Sequence, residues 1–416
     1  MSDIHPRIPS IGEDPRESMN DVAEAPGKIW FRSLDEAVIE ADRCIQCGSC
    51  VAACPSDSIG IDSEENRPTL VRMCTGCSSC WDYCPRSGLR YERVAEETTA
   101  KEGLSEPELY SARARSPFQN AGQDGGVVTA LLVALLEAGE IDGALVATED
   151  ESEPLRGVAT LATTPEELCA AGGSIYNQVM SLGRLQEAID DAGLEDPDIA
   201  LVGTPCVIEG ARAFDLYNHD AASSISLTVA LMCTRNFDHG RLTGALTARD
   251  VDPATVDRLD ISDGTLYAFD SDGETLLKAD VDEFEEAGLR GCDECADFIG
   301  KAADISAGSV GSPDGETTVV LRTEYGKELW ERAQSVQNSQ FDDSRPIATE
   351  SLDETPALDS LASWNRRRAK HFLPREYDGE KPVGISLAEH RDAYEETDRE
   401  PEPFNPARVH QYEEWC

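Results

Sequence analysis

The sequence predicts an α+β protein in which a small, cysteine-rich N-terminal module precedes a larger α/β domain. A cysteine pattern that occurs twice, at 44–55 and 74–85, defines the module as an internal duplication. From about 113 to 335, short apolar segments alternate with amphipathic ones, which is typical of strands separated by helices in a mainly parallel sheet. The chain has 416 residues, 40% of them hydrophobic, enough for two or three domains with real cores.

These changes of pattern predict five segments. They are a flexible arm at 1–27, the cysteine module at 28–93, a charged linker at 94–112, the α/β domain at 113–335 and an acidic, proline-containing C-terminal extension at 336–416. Within the α/β domain the pattern predicts helices over 127–139 and 174–193, and strands over 141–149, 198–205, 224–233, 303–311 and 317–324.

The charge excludes some partners. There are 81 acidic and 36 basic residues, a net charge of −45. Such a surface repels the phosphates of nucleic acid and of anionic membranes. No secretion signal or membrane-spanning segment is apparent, so the sequence favours the cytoplasm of a salt-loving organism, where high ionic strength screens the self-repulsion.

The duplicated module carries the strongest chemical signal. Each copy reads C-x2-C-x2-C-x3-C-P, the spacing of bacterial two-cluster ferredoxins, in which three cysteines of one loop bind one 4Fe–4S cluster and the fourth binds the other. We therefore expect crosswise ligation by two sets of thiolates. The first set is Cys44, Cys47, Cys50 and Cys84, and the second is Cys74, Cys77, Cys80 and Cys54. The alternative, structural zinc, does not use two complete copies of such a run.

Four dispersed cysteines form a second candidate site. Cys206 and Cys233 each follow an apolar strand, and the carboxyl ends of parallel strands share the crevice where ligands bind. Cys292 and Cys295 add a close pair. The spacing alone permits buried thiols, a zinc site or a third 4Fe–4S cluster.

Two glycine-rich segments precede predicted helices, GQDGG at 122–126 and AGGSIY at 171–176. Free N–H groups and the helix dipole at such a point suit a phosphate. The alternative is that these glycines merely open two helices.

Taken in order, the motifs resemble those of the beta subunits of coenzyme F420-reducing hydrogenases and dehydrogenases. The resemblance covers about 28 to 335 and includes SPFQNAGQDGGVVTALL, AGGSIY, VGTPC and CDECADFIGKAADISAGSVG. It implies FAD and a third 4Fe–4S cluster held by the dispersed cysteines. The flavin-site residues that it implies are Gly125, Gly126, Thr129, Ser174, Tyr176, Lys301 and Asp304.

The resemblance implies a cytoplasmic, F420-dependent oxidoreductase. FAD would exchange a hydride with coenzyme F420, and single electrons would pass through the clusters to a ferredoxin or a partner subunit, in either direction. Two alternatives remain open. One is a ferredoxin-fed flavin reductase of an organic substrate, as in the related reductase of 7-hydroxymethyl chlorophyll, and the other is an electron-transfer subunit with no substrate site.

Overall fold

The N-terminal cysteine module is built from short helices and one hairpin. The structure is a computed structural model, and it describes residues 30–62, 64–86, 94, 98, 101, 103–120, 122–262, 264–295, 297–336, 346–352 and 361. The module contains helices α1 Phe31–Leu34, α2 Ser49–Ala52 and α3 Ser79–Asp82, and strands β1 Ile59–Asp62 and β2 Arg67–Leu70. The two strands pair antiparallel, Ile59 opposite Leu70. Phe31, Leu34 and Trp81 are buried against the cysteines, so the module has its own small core.

The larger domain contains eleven further strands. They are β3 Gly103–Ala114, β4 Gly143–Glu149, β5 Gly157–Ala162, β6 Ile199–Gly203, β7 Ile225–Leu231, β8 Arg258–Ser262, β9 Thr265–Phe269, β10 Thr275–Asp280, β11 Ile305–Gly308, β12 Thr317–Thr323 and β13 Ile347–Ser351. Eight of them form one sheet in the order β13-β3-β12-β11-β7-β6-β4-β5. The remaining three, β8 to β10, form a separate antiparallel sheet that the sequence reading missed.

The main sheet is mixed, which corrects the expectation of mainly parallel pairing. Only β4, β6, β7 and β11 run parallel to their neighbours within this central group. The pairs β4–β5, β11–β12, β12–β3 and β3–β13 are antiparallel. A parallel connection needs a dozen or more residues, and the links from β4 to β5 and from β11 to β12 are shorter than that.

Two of the flanking strands come from segments that were predicted to lie outside the α/β domain. Strand β3 begins at Gly103, within the expected linker, and β13 belongs to the expected C-terminal extension. β3 pairs with β12 on one side and β13 on the other. The sheet therefore recruits chain from both sides of the expected domain. The expected arm at 1–27 and Cys416 lie outside the described residues.

Six longer helices accompany the sheet in the described part of the chain. They are α4 Val127–Ala138, α5 Pro165–Ala170, α6 Ser181–Ala192, α7 Pro205–Leu216, α8 His239–Thr247 and α9 Glu324–Ser335. Helix α4 is buried along most of its length and shares the main core with Trp330 of α9. Gly139 ends α4 with a φ of 71°, as the sequence predicts.

The helix expected over 174–193 begins only at Ser181. The preceding residues cross the body in a more extended form, where the Tyr176 carbonyl accepts a hydrogen bond from the Phe237 amide at 2.8 Å. Asn177 pairs with Phe237 in an isolated bridge. These tertiary contacts fix the backbone where apolar periodicity alone suggested a helix. Among the helices described, none has the length and apolar character needed to cross a membrane.

Candidate functional site

Both cysteine loops aim backbone amides at their sulfurs. In the first copy, the Gln46 amide donates to the Cys44 Sγ at 3.4 Å, and in the second the Gly76 amide donates to Cys74 Sγ at 3.4 Å. The two donors occupy equivalent positions of the repeat, and both have left-handed φ angles, 53° for Gln46 and 69° for Gly76. Such donors stabilise the thiolate form that binds iron and tune a cluster's reduction potential.

The fourth cysteine of each copy lies with the other loop. Burial raises the pKa of Cys50 well above its usual range, and the neighbouring thiolates that raise it further include Cys44, Cys47 and Cys84. Burial also raises the pKa of Cys80, whose thiolate neighbours are Cys77, Cys74, Cys84 and Cys54. Crosswise ligation requires these two neighbourhoods.

The eight sulfurs fit clusters better than single ions. Burial, with nearby sulfurs as a smaller cause, raises the pKa of Cys44 to about 12, so a cationic centre is needed to keep the thiolates charged. Yet in the described part of the chain no three His, Cys, Asp or Glu side chains converge closely enough to hold one metal ion. A single zinc ion draws its sulfurs in to about 2.3 Å. Soft thiolate ligands at the spacing of this repeat suit a 4Fe–4S cubane.

The dispersed cysteines converge beside the first loop. Cys206 is buried at the start of α7, where the dipole of a twelve-residue helix favours a thiolate. Burial raises its pKa well above the usual range, and the thiolates that add to this are Cys295, Cys292 and Cys47. Cys233 follows β7, and its amide donates to the Phe298 carbonyl at 3.0 Å, in the segment after Cys295. This donor set fits a third cluster close to the first.

One side chain links Cys206 to its surroundings. The Gln178 Nε2 donates to Cys206 Sγ at 3.4 Å and to Thr204 Oγ1 at 2.9 Å. Gln178 is only 5% exposed. Four residues further along the same segment, the Leu182 amide donates to the Cys47 carbonyl at 3.3 Å. The residues that lead into the first turn of α6 therefore contact both the dispersed cysteines and the first loop.

The two glycine-rich segments face each other at the start of α4. Gly126 caps this helix without a side-chain partner, which leaves the first-turn amides available for an anion. A Cβ on Gly122 would lie 3.8 Å from the Gly173 amide nitrogen and 3.9 Å from Thr129 Oγ1. Gly173 has a φ of 121° and open space where a side chain would be. The expectation that 171–176 opens a second helix is wrong, because α6 starts at Ser181.

Several hydrogen-bonded polar side chains surround the start of α4. The Gln123 Oε1 accepts from Ser174 Oγ and, at 3.1 Å, from Tyr176 Oη, while its Nε2 donates to Asp260. Tyr176 Oη in turn accepts from the Ile261 amide at 3.0 Å, which ties the small sheet to the glycine loop. The structure thus brings together Gly125, Gly126, Thr129, Ser174 and Tyr176, five of the residues predicted for the flavin.

The glycine loop also contains one opposing charge. Asp124 is half-buried, and burial raises its pKa, with Asp260 and Asp314 adding to the rise. A flavin pyrophosphate would meet amides and hydroxyls here, together with this carboxyl group. The donors and the open glycine suit such a group, and the raised pKa of Asp124 shows that further negative charge nearby is unfavourable unless it is neutralised.

Asp304 and Lys301 lie apart from the glycine loop. The Asp304 carboxylate is 1% exposed, forms an ion pair with Arg212 and accepts from Thr228 and from Thr323 at the end of β12. The glycine loop instead contacts the start of β12, because Thr317 Oγ1 donates to the Asp124 carbonyl. Six residue steps along a strand span roughly 20 Å. These contacts occupy the Asp304 carboxylate, and its role in the flavin site stays a prediction.

Lys301 belongs to the segment beside the dispersed cysteines. Its amide donates to Asp297 Oδ2 at 3.0 Å, and Asp297 follows Cys295 closely, with the Cys295 Sγ 3.4 Å from the Asp297 carbonyl. Asp297 also accepts from the amides of Ile299 and Gly300. Lys301 is thus placed with the dispersed cysteines.

Sequence reasoning missed the amide side chains of this region. Gln46, Asn66, Gln123 and Gln178 each form a side-chain hydrogen bond between separate segments of the chain. Three of them, together with Arg67, Arg156 and His239, line a polar cleft of about 280 Å³ between the cysteine module and the α/β domain. One signal was available for Gln46, because it occupies the position that glycine holds in the second copy of the repeat.

Comparisons with known proteins agree with this organisation. Residues 37–89 match the 4Fe-4S dicluster domain, residues 109–186 the N-terminal domain of the coenzyme F420 hydrogenase/dehydrogenase beta subunit, and residues 196–346 its C-terminal domain. The coenzyme F420 hydrogenase subunit beta of Methanosarcina barkeri is 34% identical over 260 residues, which is 61% of this chain and 83% of that protein.

A longer enzyme and a solved structure show the same likeness. The coenzyme F420-dependent sulfite reductase of Methanocaldococcus jannaschii is 33% identical over 309 residues, 70% of this chain, but this chain spans only 46% of that enzyme. A chain of the xenon-derivatised F420-reducing NiFe hydrogenase complex from Methanosarcina barkeri superposes with a TM-score of 0.59 at 28% identity, over 69% of this chain and 96% of that one. An iron–sulfur module joined to this sheet domain confirms the family expected from the motifs: the chain belongs to the coenzyme F420 hydrogenase/dehydrogenase beta subunit family.

Proposed function

We propose that this chain is an iron–sulfur flavoprotein that moves electrons between coenzyme F420 and a redox partner subunit or ferredoxin. The observation that carries the proposal is the position of Cys206, which lies beside Cys47 of the first loop and is bonded to Gln178, two residues beyond Tyr176 of the glycine site. These contacts support a path for electrons between the proposed flavin site and the sulfur sites. FAD, when bound, supplies the exchange between hydride transfer and single-electron transfer.

The residues of the glycine site suit recognition of the flavin. The first-turn amides of α4 and the open Gly173 are available to a pyrophosphate, and Thr129, Ser174 and Tyr176 offer hydroxyl groups. Burial raises the pKa of Tyr176, whose hydroxyl donates to Gln123 Oε1 and thereby orders the polar side chains of the site. These groups would hold and orient the cofactor, and the buried segment behind them would exclude water from the path to Cys206.

The second cysteine loop supports transfer to a partner. Cys77 is exposed, and the exposed large apolar residues of the described chain include Leu70 at 48%, Val71 at 57% and Met73 at 89%, all adjoining this loop. Trp30 is 45% exposed beside Phe31, whose amide donates to Cys74 Sγ at 3.5 Å. Large exposed apolar groups near a redox centre favour contact with another protein.

Anaerobic purification followed by metal and flavin analysis tests the proposal. About twelve irons and one FAD per chain are expected from three 4Fe–4S clusters. Mixed with reduced coenzyme F420, the chain should oxidise it and reduce the clusters. Cys206→Ser should lower the iron content by about four per chain and slow cluster reduction, whereas Cys169→Ser, a half-buried cysteine packed in the main core, should leave both unchanged.

Three results would each direct the function elsewhere. Full iron and FAD with no oxidation of reduced coenzyme F420 would favour an electron-transfer subunit without a substrate site. Full iron and FAD with reduction only by ferredoxin would favour the reductase of an organic substrate. Zinc in place of iron and sulfide would overturn the proposal altogether.

A further inference from the structure

A series of hydrogen bonds through Gln178, Asn66 and Gln46, made by both side-chain and backbone atoms, joins the dispersed cysteines to the first cysteine loop. Gln178 donates from Nε2 to Cys206 Sγ, and its backbone carbonyl oxygen accepts from Asn66 Nδ2 at 2.7 Å. Asn66 Nδ2 also donates to Gln46 Oε1 at 3.4 Å, and the Gln46 amide donates to Cys44 Sγ. The three residues come from three separate segments of the chain. Each sulfur site therefore receives a hydrogen bond from a residue held by the same network.

The orientation of the Gln178 amide follows from the chemistry of its neighbour. A thiolate bound to iron can only accept a hydrogen bond, so the side-chain nitrogen and not the oxygen must face Cys206. The Thr204 hydroxyl can accept from the same nitrogen, which allows both contacts at once. Because Gln178 is only 5% exposed, water competes little for this bond.

The backbone of Gln46 is unusual for its residue type, whereas asparagine tolerates the same left-handed region at Asn66. Gln46 has a φ of 53° and Asn66 a φ of 51°, in the left-handed region that favours glycine. In the second copy of the repeat, glycine occupies the position of Gln46, so the loop itself does not require a side chain there. A strained residue whose side chain joins a buried network points to a role for that side chain.

We propose that Gln178 raises the reduction potential of the cluster held by Cys206, and that Asn66, which donates to the Gln178 backbone carbonyl and to Gln46 Oε1, holds the backbone from which this side chain extends. This inference rests on the proposed function, since it requires a third cluster. Hydrogen bonds to ligating sulfurs stabilise the more negative, reduced state. Gln178 is a positioning residue, and its effect belongs to the potential of one cluster and not to the assembly of the chain.

A dye-mediated redox titration of the anaerobic holo-chain, followed by electron paramagnetic resonance, tests the role of Gln178. The signal that Cys206→Ser removes is assigned to the third cluster. Gln178→Met keeps the side-chain length and removes the donor, so the midpoint potential of that signal should move to a more negative value while the two ferredoxin-type signals stay in place. Gln186→Met is the matched control, because Gln186 donates to Asp190 at the exposed surface of α6, and it should move no signal.

A second variant covers the case in which Gln178→Met fails to assemble its clusters. Asn66→Gly suits the left-handed backbone and removes the bond to the Gln178 carbonyl, so it should shift the same signal in the same direction by a smaller amount. An unchanged third-cluster potential in Gln178→Met, or in Asn66→Gly when the first variant does not assemble, overturns the inference. A wild-type chain with about eight irons would overturn the third cluster and the inference together, which separates the two failures.

Discussion

At the scale of single residues, the cysteine positions carried the most predictive information. Their spacing alone identified the twelve candidate ligands, and the structure places Cys50 near Cys84, Cys80 near Cys54, and Cys206 near Cys295, Cys292 and Cys47. The amides could not be found in this way, because glutamine and asparagine are common on surfaces and have no diagnostic spacing. A short motif also does not reveal that the Asp304 carboxylate is paired with Arg212, and the role of Asp304 in the flavin site stays a prediction.

Asp124 provides a test of the flavin site at this scale. Its raised pKa means that the folded protein disfavours the charged form, and a bound pyrophosphate adds to that penalty. Asp124→Asn keeps a residue that tolerates the left-handed backbone, φ 52°, and removes the charge. We expect FAD to bind several-fold more tightly, by about 1 kcal/mol, as measured by fluorescence titration of the flavin-free chain.

The pH dependence of the same affinity gives a second readout. Because protonation removes the charge, affinity in the wild type should rise as the pH falls through the raised pKa of Asp124, which lies above the usual 3.8. The amide that replaces this carboxyl group in the variant cannot titrate, so the affinity of the variant should be flat over that range. Equal affinities and equal pH profiles would contradict a phosphate site at this loop.

At the scale of elements, strands were predicted better than pairings. The expected strands over 141–149, 198–205, 224–233, 303–311 and 317–324 all occur, with shorter bounds. Apolar runs reveal that a segment is buried, whereas pairing direction depends on the connections, and those of β4–β5 and β11–β12 are too short for a crossover. The small sheet β8 to β10 was missed because its strands are half-exposed and lack a continuous apolar run.

The contact of α2 with α6 is where the cysteine module meets the α/β domain, and Gly48 permits it. A Cβ at Gly48 would meet the Gly183 amide and lie 2.7 Å from the Met180 carbonyl, and its φ is 87°. The equivalent position in the second copy is Ser78, whose φ of 73° is also left-handed. Gly48→Ala should therefore lower the free energy of unfolding by roughly 2–4 kcal/mol.

Denaturant unfolding of the anaerobic protein measures this change, and Gly139→Ala is its control. Gly139 has a φ of 71° but nothing within 4 Å of a Cβ, so only the backbone penalty of about 1 kcal/mol applies. Limited proteolysis of Gly48→Ala should also release the cysteine module more readily than in the control. Identical behaviour of the two variants would show that the loops do not dock as described.

At the scale of the whole molecule, charge sets the conditions for stability. With a net charge of −45, the acidic side chains repel one another in the compact state. The screening length of this repulsion is about 10 Å at 0.1 M salt and about 3 Å at 1 M. We propose adaptation to high salt, which neither fold nor family requires. Composition alone indicated this property, whereas the recruitment of β3 and β13 into the main sheet required the three-dimensional structure.

Thermal unfolding in increasing potassium chloride tests the charge argument. The midpoint should rise between 0.1 and 1 M, where the screening length falls from about 10 Å to about 3 Å. Sucrose at matched osmolality strengthens burial without screening charge, so it should produce a smaller rise. A midpoint that is independent of chloride would show that the acidic side chains do not repel one another enough to matter.

The residues from Ser174 to Leu182, which lead into the first turn of α6, limit how far the sequences and structures of such proteins can diverge. Ser174 touches the glycine site, Gln178 touches Cys206, and Leu182 touches the first loop, all within nine consecutive residues. Eight fully extended steps reach at most ~29 Å, so covalent chain length limits how far the cofactor site and the iron–sulfur module can separate. An insertion among these residues would displace all three contacts at once. The outer strands could lengthen without altering the spacing of the redox centres.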